Sequence, residues 1–411
     1  MNQRFTKMTV AELQLGMFVA DLDRPWLETP FLVQGFTINH PREIETLREL
    51  CKFVYVDTGA SRPVARDAYA GAGNTIKRQA LKKMFPGRSL ATYQDTHGFE
   101  DELVKARSVY DDYERMVVSI YDGYSRNRSL DLSAVGKTID SVVGSIMRNP
   151  DACMLLTELR RKDNYTYNHA IGTSIWAAAM GRQLGLPIPE IKTLATGMLL
   201  SDIGKLNISS RVLNKKGNLS ESEVGIVRQH VAEGLEILGG TSGIQKPIIE
   251  IVAHHHERHN GRGYPDGLTG DEIPVFGRIA GIIDCYDAMI NERPYALAVT
   301  PADAIAKLYT MRDVDFQSEL VEEFIQTIGI YPAGSLVELT NGEVGVVVAE
   351  HRKRRLRPKI LLILDHEKQM LQETRYLNLL EVTHDDKGRQ LDILKGIEPG
   401  KYGIKPDDLF M

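Results

Sequence analysis

His254-His255-His256-Glu257-Arg258-His259-Asn260-Gly261-Arg262-Gly263-Tyr264-Pro265-Asp266-Gly267 is the stretch on which the reading of this chain turns. The three adjacent histidines follow an apolar run with Ile248, Ile249, Ile251 and Val252, which reads as the end of a buried helix. A glycine-rich turn closed by Tyr-Pro comes next. Imidazole is the usual nitrogen ligand of transition metals. Gly261 and Gly263 let the backbone approach a bound anion where a Cβ would obstruct it. Alone, the stretch also reads as a polar helix end before a turn, because a histidine-rich tract is a compositional signal.

The surrounding chain shifts that balance. Six of the eleven histidines fall between His169 and His259. Asp202, in Leu199-Leu200-Ser201-Asp202-Ile203, and Asp284, in Ile282-Ile283-Asp284-Cys285, are acids in apolar surroundings. A buried carboxylate is costly unless it is paired or sits on a metal. At these residues the chain resembles the HD-GYP family of bacterial cyclic di-GMP phosphodiesterases, a branch of the HD metal-dependent phosphohydrolases. His169, Asp202, His230, His255, His256 and Asp284 follow that family's ligand series in order and spacing. Gly263-Tyr264-Pro265 matches its GYP triplet, and Arg293-Pro294-Tyr295 matches the segment after the last aspartate. The resemblance covers about residues 100–330. It departs at Ser201, where the family has the histidine of its His-Asp pair.

The resemblance implies a fold that is mainly α, with an all-helical HD-type phosphohydrolase domain. It implies two divalent transition-metal ions held by His169, Asp202, His230, His255, His256 and Asp284, with Asp202 bridging. A site of nitrogen and oxygen donors without thiolate suits Fe or Mn before Zn or Ni. Lys205 would serve catalysis beside Asp202 by neutralising a phosphate oxygen, and Arg293 would hold a substrate phosphate. Gly263, Tyr264 and Pro265 would shape the mouth of the substrate pocket, and the same turn is linked to a signalling-protein partner. Ala296 stands where a second basic residue is common, and Tyr165 where some members carry the glutamate for a third ion. Two readings of Ser201 stay open. In one, the protein hydrolyses cyclic di-GMP to the linear dinucleotide or to GMP. In the other, Ser201 marks a degenerate domain that binds cyclic di-GMP or a protein as a scaffold. Hydrolysis of another phosphoester is a further alternative.

The rest of the chain frames this domain. A net charge of -5 over 411 residues argues against general nucleic-acid affinity. Three widely separated cysteines suit a reducing compartment. No apolar run reaches the ~18 residues that cross a bilayer, and no signal-peptide core is evident, so a cytoplasmic protein is expected. Residues 1–57 read as a small α/β regulatory module, with strands at 16–22, 31–38 and 53–56 and a helix opened by Pro41. It resembles the domain found ahead of HD-GYP domains in one subgroup. Residues 58–97 read as a basic linker. Residues 98–332 form the helical domain; its amphipathic run from Phe99 to Arg128 is read as core, with a homodimer seam as the alternative. Thr300 and Pro301 are an N-cap and N1 pair. Residues 333–411 read as a β-rich subdomain around the hairpin signal Asn341-Gly342, with Arg352–Arg357 as a solvated basic tip.

Overall fold

The computed structural model describes residues 5–24, 26, 29, 31, 35–38, 41–57, 81–159, 165–293, 298–350, 356–398 and 401–404. The protein is mainly helical, with a small sheet toward each terminus. It divides into two compact units, Met1–Pro86 with Ala306–Met311, and Gly87–Ile305 with Arg312–Met411.

In the first unit, strands β1 (Phe5–Thr9), β2 (Phe18–Leu22), β3 (Phe36–Thr37) and β4 (Phe53–Asp57) form an antiparallel sheet in the order β1-β4-β2-β3. Helix α1 (Pro41–Leu50) joins β3 to β4. Val54 and Val56 are buried two apart on β4, as alternation along a half-buried strand requires, while Val19 and Leu22 are both buried across a register shift between Val19 and Asp21. The strand expected over 31–38 is present only at Phe36–Thr37; Phe31 lies outside any strand, and residues 32–34 are outside the described residues. Most of the basic segment expected to be a linker, residues 58–80, also falls outside them.

The second unit is built on helices α2 (Phe99–Asn127), α3 (Leu132–Arg148), α4 (Pro150–Leu159), α5 (Tyr165–Leu184) and α6 (Ile188–Leu200). Ala170, Ile171, Ile175, Trp176, Ala177, Ala178 and Met180 are all buried, so α5 is enclosed on every side rather than on one stripe. It ends at Gly185, whose φ of +76° suits a helix C-terminus, and Leu186 N–H donates back to the Gly181 carbonyl at 3.0 Å. On α2, Tyr113, Val117, Ile120 and Tyr121 are buried within this unit, in keeping with the core reading.

A 3-10 helix (Ile203–Asn207) follows α6, and α7 (Ser210–Leu213), α8 (Glu221–Arg228), α9 (His230–Gly239), α10 (Lys246–His254) and α11 (Val275–Ile290) come after it. Two glycines set the close approaches here. A Cβ on Gly197 would fall 2.4 Å from the Ile251 side chain, and one on Gly204 would fall 1.9 Å from the His230 carbonyl oxygen. The turn after Asp202 is therefore seated directly on the start of α9. Helix α12 (Pro301–Thr310) is capped by Thr300, whose hydroxyl accepts from Asp303 N–H at 3.1 Å, and α13 (Ser318–Ile328) follows.

The C-terminal strands β5 (Leu336–Leu339), β6 (Val344–Ala349), β7 (Lys359–Leu364), β8 (Met370–Asn378) and β9 (Ile393–Ile397) form an antiparallel sheet in the order β8-β7-β6-β5-β9. Asn341-Gly342 turns the chain between β5 and β6, with Gly342 at φ +90°. The solvated tip expected over Arg352–Arg357 needs correction at its end. Arg357 is buried and donates to the carbonyls of Leu379 and Leu391 and to Asp392. Residues 351–355 lie outside the described residues.

Candidate metal centre

Each polar group of the site is delivered by an element that also buries apolar residues. His169 stands on the enclosed helix α5, Asp202 just past the end of α6, and His230 opens α9. His255 and His256 follow the last residue of α10, and Asp284 faces inward from α11. Asp202, His230, His255 and His256 each bring one potential ligand atom into a group whose members all lie within 4.8 Å of one another. His230 Nε2 is 3.4 Å from His255 Nε2 and 3.1 Å from His256 Nε2. Asp202 Oδ1 lies 3.3 Å from His230 Nε2, and Asp202 Oδ2 lies 3.3 Å from His169 Nε2. His169 Nε2 is also 3.2 Å from Asp284 Oδ1, which brings the sixth residue to the same cluster. His254, the first of the three adjacent histidines, instead gives Nδ1 to the Glu250 carbonyl at 2.8 Å.

The donor set fits a metal ion on three grounds. Asp202 is buried, yet its Oδ1 accepts no hydrogen bond from the described residues, a costly state unless a cation shares it. His230 and His255 direct Nδ1 at the carbonyls of Val227 (2.7 Å) and Val252 (2.9 Å), so Nδ1 carries the proton and Nε2 keeps its lone pair. Burial pushes His255 down to about 4 and His256 well below the ordinary imidazole value, and it lowers His230 as well. These rings are neutral, as ligands must be. Burial opposes ionisation of Asp202, but the Lys205 ammonium outweighs it and holds the carboxyl far below its usual range. Burial also pushes His169 down, and its bonds to Asp284 and Asp287 reverse that and lift it to about 9.

Lys205 lies against Asp202. Helix α6 stops at Leu200, the next turn is 3-10, and Lys205 Nζ bonds Asp202 Oδ2 from three residues on. Ser201 is buried, and its hydroxyl donates to the Met198 carbonyl at 2.9 Å. Arg293 lies half-buried three residues past the end of α11, while Pro294, Tyr295 and Ala296 fall outside the described residues. The side chain of Tyr165 is likewise outside them.

The Gly-Tyr-Pro turn lies against the cluster. The Tyr264 ring stacks on His256, with centroids 4.6 Å apart, and the Arg228 guanidinium lies 4.7 Å from the Tyr264 centroid. Gly263 is obligatory, since a Cβ there would fall 2.4 Å from Arg258 N. Sequence reading passed over the residue that shapes this turn. Glu257 is buried, and its carboxylate accepts from the N–H groups of Asp266, Gly267 and Leu268 at 2.8, 3.1 and 3.0 Å. A lone acid entering a glycine-rich turn was the available signal. Asp287 was passed over too, although it sits three residues past Asp284 on the same helix.

Comparison with known proteins gives three family matches. An HD domain matches residues 151–320, a domain of unknown function (DUF3391) matches 5–135, and a KOW domain associated with HD domains matches 336–384. The chain is 29% identical over 397 residues to the cyclic di-GMP phosphodiesterase PA4108 of Pseudomonas aeruginosa, covering 96% of this chain and 92% of that protein. It is 36% identical over 151 residues to the cyclic di-GMP phosphodiesterase response regulator RpfG of Xanthomonas campestris, covering 36% of this chain and 40% of that protein. To the 3'3'-cGAMP-specific phosphodiesterase 2 of Vibrio cholerae it is 26% identical over 289 residues, 68% of this chain and 54% of that one. Among solved structures, the HDGYP protein Bd1817 from Bdellovibrio bacteriovorus aligns with a TM-score of 0.47 at 16% identity, covering 78% of this chain and 98% of that one.

Proposed function

We propose that this chain, which carries an HD domain behind a DUF3391 domain and bears the Gly-Tyr-Pro turn of the HD-GYP kind, is a metal-dependent phosphodiesterase that hydrolyses cyclic di-GMP. The observation that carries the reading is the convergence of one buried carboxylate with three imidazoles inside 4.8 Å. His169 and Asp284 adjoin that group through His169 Nε2.

On this reading His169, Asp202 and Asp284 hold one divalent ion, Asp202, His230, His255 and His256 hold a second, and Fe or Mn suits the donor set. Such ions, when bound, supply Lewis acidity toward a phosphoryl oxygen and activate water at neutral pH. The protein's own groups do the rest. Lys205 keeps Asp202 ionised and fixes one of its oxygens. Arg293 offers a guanidinium fork to a substrate phosphate. The Gly263–Pro265 turn, tied down by Glu257, forms a rigid wall beside His256 on which a base or sugar can rest. The same turn is a docking place for a signalling protein, and α2 is a candidate homodimer seam.

A second reading, a domain that binds without hydrolysing, is favoured by Ser201, because its hydroxyl is committed to the Met198 carbonyl and no imidazole stands there. One experiment separates the two. Protein supplied with Mn or Fe is incubated with cyclic di-GMP, and linear dinucleotide and GMP are followed by chromatography. Metal-dependent product supports the enzyme. Full metal loading with bound but intact substrate supports the scaffold, and absence of both metal and ligand binding sinks each reading.

A further inference from the structure

Asp287 is not among the ligands assigned above, yet at 1% exposure it is as enclosed as His169 and His230. Both of its oxygens are engaged. Oδ1 accepts from the indole N–H of the buried Trp176 at 3.1 Å. Oδ2 accepts from Asn291 Nδ2 at 2.9 Å and meets His169 Nδ1 at 2.7 Å. Room for the carboxylate is kept by Gly172, one turn along α5 from His169, where a Cβ would fall 2.5 Å from Asp287 Oδ1.

His169 faces carboxylates through both ring nitrogens, but Asp287 is closer to Nδ1, at 2.7 Å, than Asp202 or Asp284 is to Nε2, at 3.3 and 3.2 Å. A carboxylate accepts and does not donate, so the single proton of the neutral ring goes to the shorter Nδ1 pair. The neutral His169 ring then has its lone pair on Nε2, the atom lying 3.3 Å from Asp202 and 3.2 Å from Asp284. His230 and His255 reach the same tautomer by donating Nδ1–H to backbone carbonyls. His169 does so through a carboxylate, which makes an imidazole a stronger electron donor to a metal. We propose that Asp287 is a positioning residue that fixes the Nδ1–H tautomer of His169 and strengthens its Nε2 as a ligand. This rests on the metal-centre reading above.

The test is Asp287→Asn, which keeps the shape. With its amide oxygen kept on Trp176, its NH₂ faces both His169 Nδ1 and the Asn291 amide. Asn291 keeps its 2.8 Å bond to the main-chain carbonyl of position 287, while Nδ1 must accept and the ring proton moves to Nε2. Mn affinity, measured by calorimetry, should fall about 10–100-fold for one ion, the usual cost of losing such an outer partner, and hold for the other. Trp176→Phe breaks an equally buried bond to the same carboxylate and should leave both affinities near wild type. The tautomer is read directly by ¹⁵N spectra of histidine-labelled, metal-free protein, in alkaline buffer above the value of about 9 to which His169 is lifted. Wild type should show protonated Nδ1, and Asp287→Asn protonated Nε2. Protonated Nε2 in wild type overturns the proposal even if the asparagine variant fails to fold. Unchanged metal affinity in that variant, or an equal loss in Trp176→Phe, overturns it as well. Wild type that binds no metal would sink the metal-centre reading, while the spectra would still report on the tautomer.

Discussion

The two ends of the cluster around Asp202 are made of different materials. At one end His230, His255 and His256 crowd together, with ring nitrogens 3.1 and 3.4 Å apart, and burial keeps them neutral. At the other, a single imidazole, His169, lies between carboxylates, with Asp284 on one side and Asp287 on the other. The first end is rich in nitrogen donors and the second in oxygen donors. Borderline ions such as Fe favour imidazole, whereas carboxylate suits harder cations such as Mn. A centre so divided should hold two ions with unequal affinity and unequal metal preference.

The largest test of that asymmetry removes what both ends share. Asp202→Ala should take away most of both ions and lower turnover by on the order of 10³-fold, as loss of a central electrostatic stabiliser does. Elemental analysis showing one ion retained at full occupancy would mean that Asp202 belongs to one end only. The next test treats the ends separately. His230→Ala and Asp284→Ala should each cost about one ion, with an affinity loss beyond the ~100-fold upper range of outer-partner changes. Titration with Mn and Fe in parallel should find Asp284→Ala depleting the weaker ion. Identical titration curves for the two variants would break the comparison.

Arg293→Ala lies outside both ends. It should leave metal content alone and weaken cyclic di-GMP binding by ~1.5–3 kcal/mol, the worth of a charge-assisted hydrogen bond. A calorimetric titration showing lost metal instead would move Arg293 into the centre's support. The smallest effect is a gain. Ser201→His adds an imidazole beside Asp202 and should tighten metal binding by roughly tenfold, or about 1.4 kcal/mol. Overpacking a buried position should cost ~1–3 kcal/mol of stability, which a melting curve would show. Ser201→Ala should change little. If the histidine variant binds and turns over no better than wild type, the centre was never short of a ligand.

How legible each part was follows from how far away its partners lie in the chain. Asn341-Gly342 announced its hairpin because turn chemistry is local. The six clustered residues stood out because their order and spacing resemble the ligand series of the HD-GYP family. Lys205 was expected one α-helical turn beyond Asp202; the chain changes to a 3-10 helix there, and the lysine bonds the aspartate itself. Arg357 looked solvated beside four other cations, yet its acceptors arrive from Leu379, Leu391 and Asp392. The Asp287 partner Trp176 is 111 positions away, and no local pattern connects them. The spacing of Asp287 from Asp284 was visible, but the reason for it was not.

The scattering of the clustered residues along the sequence has a consequence for how the domain comes together. His169 and Asp284 meet across 115 positions, with Asp202, His230, His255 and His256 contributed from three segments between them. Chain entropy opposes closing loops of that length, so the full set of donors exists only once α5, α6, α9, α10 and α11 have docked. An ion is therefore a late arrival rather than a template. Once seated it stabilises by mass action, because the unfolded chain offers no comparable site. On the two-ion reading each ion would tie three segments together with Asp202 common to both, so release of either would loosen the helices carrying its ligands rather than free a single loop.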